Sequence, residues 1–441
     1  MASNKSPDDE AVVFGDEFLA DEILARLPVR CAARCTVLSK HFRQLVKSAH
    51  FWLRHGRLGQ PPELPHVARL YRHESGMGFE FHVVGPGFAM KHTVDADRSS
   101  YAGICNGLVL VSRDSYSFKG QSSVEGIVFN PATKEEARLS LPLPHPEKED
   151  MWCRIFGFGY GPSSKVYKAL IHESHNGRTR LMVVSMDGGG DGQEPRTVFS
   201  CDDEMLCHHS LHTGDGKVYF LIFTIYHIDC EERYEVEDYV VTMVLAFDVD
   251  DEVATSIAVP EGEERNISDS MMLEVRGRPC IYKRKGQYTV IWLLTPDHRW
   301  EQLYILVNEN AQPGDYFAGA WDCGGDLLLA LFKISGAYLY NLREAAVEDK
   351  QGSGSRLAAL SSLTIEYERP EQINRTWFGE SSNLLDYRPT LISPASIVGD
   401  VALSDRPPRC IVRKHDELGG MFLEMTQKCV IGPARQMLTK L

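Results

Sequence analysis

The chain changes its hydrophobic period once, near Arg57, and that switch restricts it to a small helical piece followed by a much larger β piece. Upstream, Phe18, Leu19, Ile23, Leu24 and Leu27 recur at helical spacing behind Asp16 and Glu17, whose charge favours a helix N-terminus. Pro28 removes a backbone donor and disfavours helical geometry at Leu27, so the first helix ends there. A second helix is expected from Arg30 to Leu38, with Ala32, Ala33 and Val37 on its small apolar side. Ser39 is the expected N-cap of a third helix running towards Lys47, with Phe42, Leu45 and Val46 apolar.

Three short helices bury little surface by themselves. Leu19, Ile23, Leu27 and Pro28 would leave an apolar patch, which marks either a partner site or a seat for the remainder of this chain. From Phe14 to Arg57 there are eight Lys or Arg against four Asp or Glu, so the piece is locally positive. This suits an acidic partner, and equally a solvated basic face.

The rest of the chain has the opposite sign. The whole chain of 441 residues carries 47 basic and 61 acidic side chains, a formal charge of −14, which argues against a general nucleic-acid or anionic-membrane binder. The opening MASNKSPDDEAVV has three consecutive acids and no apolar core, so no secretory signal is expected. The longest apolar runs, Val218–Tyr226 and Tyr239–Phe247, are too short for a helical membrane span. Eleven cysteines follow no disulfide-module rhythm, and free thiols in the cytoplasm, the nucleus or both are expected. Asn266-Ile267-Ser268 and Asn374-Arg375-Thr376 match the glycosylation acceptor pattern and are read as chance matches.

Beyond Arg57 comes a proline-rich connector, Gln60-Pro61-Pro62-Glu63-Leu64-Pro65, and then short apolar runs punctuated by Gly, Pro, Asn and Asp. A repeat recurs. Gly precedes an apolar strand at Gly107–Val111, Gly216–Phe223, Gly277–Tyr282 and Gly325–Phe332. A second strand then closes on an Asn or Asp turn at Ile127–Asn130, Val244–Asp248, Ile291–Asp297 and Tyr338–Asn341. Further strands fit Phe79–Val84, Arg154–Gly159, Val166–Ile171 and Leu181–Met186. About six such units imply an all-β, propeller-like domain. Val109, Phe220 and Leu329 are expected in its core.

Two resemblances follow. Asp21-Glu22-Ile23-Leu24, Leu27-Pro28-Val29-Arg30, Ala33-Arg34-Cys35, Val37, Ser39-Lys40, Phe42-Arg43, Leu45 and Phe51 resemble the F-box, which docks substrate receptors onto the Skp-type adaptor of cullin-RING ubiquitin ligases. Phe14-Gly15 stands where the family usually opens with Leu-Pro, and Phe42 where it has Trp; both keep an apolar group in place. Tyr101–Leu108, Val128–Thr133, Phe156–Tyr160 with Val166–Lys168, and Tyr387–Pro394 resemble the F-box-associated domain of plant F-box proteins. Together they imply a disordered tail over 1–12, a three-helix F-box over 13–57, a connector over 58–66 and a propeller-like domain over 67–441. They imply adaptor binding through Phe14, Leu19, Ile23, Leu24, Leu27, Pro28, Val29, Val37 and Phe42.

Candidate chemical sites are few. Gly157-Phe-Gly159-Tyr-Gly161 has no helix behind it to hold a phosphate and is read as a β-turn. Cys201 and Cys207-His208-His209 lack a second Cys pair for zinc. Asp248, Asp250 and Asp251 lack the calcium-loop glycine and closing glutamate, so a solvated hairpin turn is expected. Met186–Gly192 reads as a flexible loop. No catalytic constellation, metal or cofactor is expected. The segment Asp229–Asp238 carries Asp229, Glu231, Glu232, Glu235, Glu237 and Asp238 against Arg233 alone, and reads as an exposed loop that is the candidate substrate contact.

The implied function is that of a non-catalytic substrate receptor in a Skp-cullin-F-box ligase, its partners being the adaptor, through it cullin, and a protein to be ubiquitinated. The alternatives are a propeller enzyme or small-molecule sensor whose F-box controls its own turnover, and a non-degradative adaptor-bound scaffold.

Overall fold

The structure is a computed structural model. It describes residues 23–27, 29–48, 51–52, 54–55, 67–72, 79–85, 88–94, 99–113, 115–116, 123–143, 151–186, 194–202, 205–228, 236–260, 270–275, 277–285, 288–307, 317–322, 327–332, 336–341, 356–360, 383–386 and 390–398. The tail over 1–12, the connector, both glycosylation matches and all of the loop at Met186–Gly192 except Met186 lie outside these residues.

Among the described residues, the helical piece opens with a 3-10 turn, Leu24–Arg26, followed by α1 (Val29–Cys35) and α2 (Lys40–Val46); the part of the expected first helix before Ile23 lies outside them. Ser39 caps α2 as the sequence predicts, its Oγ accepting the Phe42 N–H at 3.1 Å. The second helix stops short of Leu38. The amides of Thr36, Val37 and Leu38 donate three residues back, to Ala33, Arg34 and Cys35, so the chain tightens into a turn. Two bonds close the unit: Trp52 Nε1 donates to Val46 O at 2.7 Å, and His55 Nε2 donates to Leu27 O at 2.8 Å. Burial pushes the His55 pKa down, although its bond to Leu27 works the other way.

The β domain is a succession of four-stranded antiparallel sets. Sheet one orders Asn383–Asp386, Val67–Arg72, Phe79–Gly85 and Phe88–Val94, so a late strand completes the earliest sheet. Sheet two runs in chain order through Ser99–Cys105, Leu108–Arg113, Ser123–Asn130 and Glu135–Pro142. Sheet three holds Trp152–Tyr160, Tyr167–His175, Arg178–Ser185 and Arg196–Cys201, with the short Ser115–Tyr116 on its inner edge. Sheet four holds Met205–His212, Lys217–Ile228, Val236–Asp248 and Val253–Ala258.

The last two sets depart from separate units. The set from Ser270–Val275 to Trp300–Val307 and the set from Phe317–Asp322 to Arg356–Leu360 share one eight-stranded sheet. Arg356–Leu360 pairs in parallel with the outer edge of Trp300–Val307 while also pairing with Gly336–Asn341. An open strand edge with unpaired backbone groups accepts such an addition. The described strands do not close into a ring.

The sequence repeat has a backbone cause. Gly107, Gly216 and Gly277 each stand immediately before the second strand of their set with φ of 74°, 84° and 71°, a region glycine enters without strain. The later Asn/Asp turns are built alike. Asn130 Oδ1 accepts from the amides of Ala132 and Thr133, and Asp248 Oδ1 from those of Asp250 and Asp251. In each, the fourth residue on, Lys134 or Glu252, takes positive φ.

From sheet two onward, neighbouring sheets share cores among the described side chains. Sheets two and three bury Leu110, Val128, Ile155 and Phe158 between them, and sheets three and four bury Phe156, Leu170, Phe220 and Phe247. Tyr219 and Val244 then meet Met272 and Ile281, and Leu273 and Tyr282 meet Leu328 and Tyr340. Val109 and Phe220 are buried as expected, while the Leu329 side chain lies outside the described ones. Trp300 Nε1 adds a bond across sets, to Ala258 O at 2.6 Å.

The run Gly157-Phe-Gly159 is not the expected turn. Both glycines lie inside the strand Trp152–Tyr160, and only Gly161 turns. A Cβ at Gly159 would come within 2.5 Å of Val218 and 2.6 Å of Val249, so glycine is what lets sheets three and four approach. The same junction carries polar contacts. Asp250 accepts the amides of Ser163 and Ser164 at 2.9 and 2.8 Å, and the buried Lys168 reaches Glu252 at 2.8 Å. Desolvation alone would raise the Asp250 carboxyl, but hydrogen bonds from Ser164 and Ser163 outweigh it and hold its pKa at about 2. The expected solvated turn at Asp248–Asp251 is therefore also a contact between sheets.

Gly159→Ala should cost about 1–3 kcal/mol in urea unfolding, because two β-branched side chains must move; an unchanged midpoint would contradict the close approach. A pH effect is expected at His212, whose Nε2 accepts the Tyr160 N–H at 3.3 Å and whose pKa burial lowers to about 4. Its folded pKa lies below the unfolded value, so its contribution to stability is complete above about pH 6.5 and is lost as pH falls towards 4. The melting temperature should fall across that window, and His212→Gln should flatten part of the fall; identical slopes would rule this out.

Candidate functional site

The helical piece has an inside and an outside, and they divide the predicted adaptor residues. Leu24, Ala25, Ala32, Val46 and Phe51 form its core, joined by Leu391 from near the other end of the chain. Leu24 is only 5% exposed, so it supports the surface without forming it. Leu27, Val29 and Phe42 are partly buried against this core. Ile23, at 40%, and Val37, at 76%, are the predicted residues that reach solvent. Phe14, Leu19 and Pro28 lie outside the described residues.

Leu38, absent from the sequence-derived set, is 68% exposed beside Val37. Its signal was its place immediately before the Ser39 cap, where the chain has left helical geometry and cannot turn the side chain inward. Arg26, Arg34, Lys40, Arg43 and Lys47 of the same piece are exposed, and the sequence from Ile23 to Arg57 contains no Asp or Glu. The described outside of this piece thus combines an exposed apolar pair, Val37–Leu38, with basic side chains, fit for an apolar and acidic counterpart.

The second predicted site is only partly placed. Asp229, Glu231, Glu232 and Glu235 lie outside the described residues. Glu237 and Asp238 do not belong to a loop: they lie in the strand Val236–Asp248, opposite His227 and Tyr226. The strand partner keeps the ladder going through acidic residues whose composition alone reads as loop. Lys217–Ile228 and Val236–Asp248 pair beyond the reach of both flanking strands, so Glu237 and Asp238 lie in a two-stranded extension. Cys207, His208 and His209 lie on the strand Met205–His212, and Cys201 is a free thiol.

A polar hollow of about 490 Å³ lies at the turn between Tyr167–His175 and Arg178–Ser185, lined by Glu173, His175, Asn176, Arg178 and Arg180. Its cations are already engaged: Arg178 meets Asp202 at 3.1 Å and Arg180 meets Glu173 at 3.7 Å. Sequence reasoning missed this group, because Glu173 reads as an ordinary surface acid until the sheet packing buries it.

Comparison with known proteins bears on both parts. A family model described as F-box domain matches residues 16–54, and one described as F-box associated beta propeller domain matches residues 78–333. A candidate F-box protein of Arabidopsis thaliana is 21% identical over 449 residues, covering 90% of this chain and 100% of its own. A second from the same plant is 26% identical over 212 residues, covering 46% of this chain and 54% of its own. A Bacteroides fragilis structure named as a candidate 6-phosphogluconolactonase covers 68% of this chain and 94% of its own, at 11% identity and a TM-score of 0.31, a likeness too slight to bear on function. With an F-box ahead of an F-box-associated match that spans more than half of its length, the chain belongs to the plant-type F-box proteins carrying an F-box-associated domain.

Proposed function

We propose that the chain is the substrate receptor of a Skp-cullin-F-box ubiquitin ligase: its helices hold the Skp-type adaptor, and its β domain holds the protein to be ubiquitinated. The observation that carries the adaptor half is the exposed Val37–Leu38 pair on a piece whose exposed charged side chains, among the described residues, are basic. An exposed apolar pair beside polar and charged groups is a surface that a partner can seat. An F-box followed by its associated domain supports the receptor role in general.

In this reading the six four-stranded sets serve as blades of a propeller-like domain, and loops on one face select the substrate. The chain supplies no catalytic group. It raises the effective concentration of substrate near the charged ubiquitin carrier, so the rate gain comes from proximity and the chemistry belongs to the partners. The reading places the protein in the cytoplasm, the nucleus or both, where the free thiols Cys31, Cys35, Cys105, Cys153, Cys201 and Cys280 stay reduced.

Replacing Val37 and Leu38 together by Asp should weaken adaptor capture at least ~30-fold, the effect of losing about 2 kcal/mol at an interface hot spot, while circular dichroism stays unchanged. Undiminished co-purification at limiting adaptor would sink the adaptor reading. On the substrate side, replacing Asp229, Glu231, Glu232, Glu235, Glu237 and Asp238 by Ser or Asn should change which proteins are captured under proteasome inhibition, with adaptor binding intact. An unchanged set of captured proteins would remove this segment as the selector.

A further inference from the structure

The helical core is not self-contained, because Leu391, 7% exposed, packs with Leu24, Ala25, Ala32, Val46 and Phe51. The next residue serves the other side: Ile392 packs against the core between sheets two and three, where Ile397 and Val398 of α3 (Ala395–Val398) are buried. Consecutive side chains of one segment therefore seat in the helical module and in the β domain. The backbone at that point is held from below. Asn130 Nδ2 donates to Thr390 O at 3.1 Å and to Ile392 O at 2.7 Å, the two carbonyls flanking Leu391. Its Oδ1 accepts from its own turn, from Ala132 N at 2.8 Å and Thr133 N at 3.3 Å, so the amide can face only one way round.

We infer that the segment 390–398 anchors the helical module to the β domain, with Asn130 as its clamp, so that the adaptor-docking surface is ordered from the C-terminal side of the chain. The adaptor and substrate ends then share one frame. Only the adaptor arm of the test below rests on the proposed receptor function.

The test uses the full chain and backbone hydrogen exchange. Its reporters are the amides of Arg43 and Lys47, which donate to Ser39 O and Arg43 O at 3.1 Å. Asn130→Asp keeps the acceptors that the turn needs, removes the donor to the segment and sets a carboxylate against two carbonyls. Leu391→Asn removes the apolar seat and leaves Asn130 untouched. Each variant should speed reporter exchange at least ~10-fold while sheet three stays protected. Unchanged reporters in Asn130→Asp, with sheet three protected, would overturn the anchor. Should Asn130→Asp also strip protection from sheet three, Leu391→Asn decides, and unchanged reporters there overturn it. If the reporters speed up and Skp-type adaptor binding to the variants falls in step, anchor and receptor stand together. If they speed up but the unaltered chain binds no adaptor, the anchor stands and the receptor reading fails.

Discussion

Asn130 has two donors and an acceptor oxygen to satisfy where water does not reach, and the manner in which it does so sets how the molecule's two parts meet. Its oxygen closes the turn that ends one strand of sheet two, and its nitrogen fixes a segment 260 residues later in the chain. Once that segment is fixed, Leu391 completes a helical core and Ile392 joins a sheet core. A helical unit of this size gains stability out of proportion from one more buried leucine, since deleting such a side chain typically costs about 2–5 kcal/mol.

Local chemistry made much of the fold legible in advance. The recurring Gly before a strand was legible as a repeat, and at Gly107, Gly216 and Gly277 it proves to mark positive φ, while Ser39 announced its cap, because each role is decided within a few residues. Contacts between distant segments were not legible. Gly157 and Gly159 looked like turn glycines, since a glycine that permits close approach and one that permits a turn are identical in sequence. Glu237 and Asp238 looked like loop and are strand, because pairing is imposed by the partner strand. Fusion of the last two sets depends on which edge lies beside Arg356–Leu360, which no local pattern encodes.

The candidate site divided in the same way. A family resemblance picks out motif residues without saying which line the core and which face outward, so Leu24 and Val37 entered one set although one is buried and the other exposed. Leu38 is exposed beside Val37 but was not among the residues that carry the resemblance. What emerges is an exposed apolar pair on a basic helical piece, fixed through segment 390–398 to a β domain whose two-stranded extension carries Glu237 and Asp238. For proximity catalysis that fixation matters, because a tether raises effective concentration most when its geometry places the substrate within reach of the carrier.

The most direct measurement is the hydrogen-exchange footprint of a purified Skp-type adaptor on the full chain. The account predicts a stable complex in which Val37 and Leu38 and the neighbouring turns of α1 and α2 gain protection, with the sheets unchanged. Failure to form a complex, or protection confined to the β domain, would contradict it.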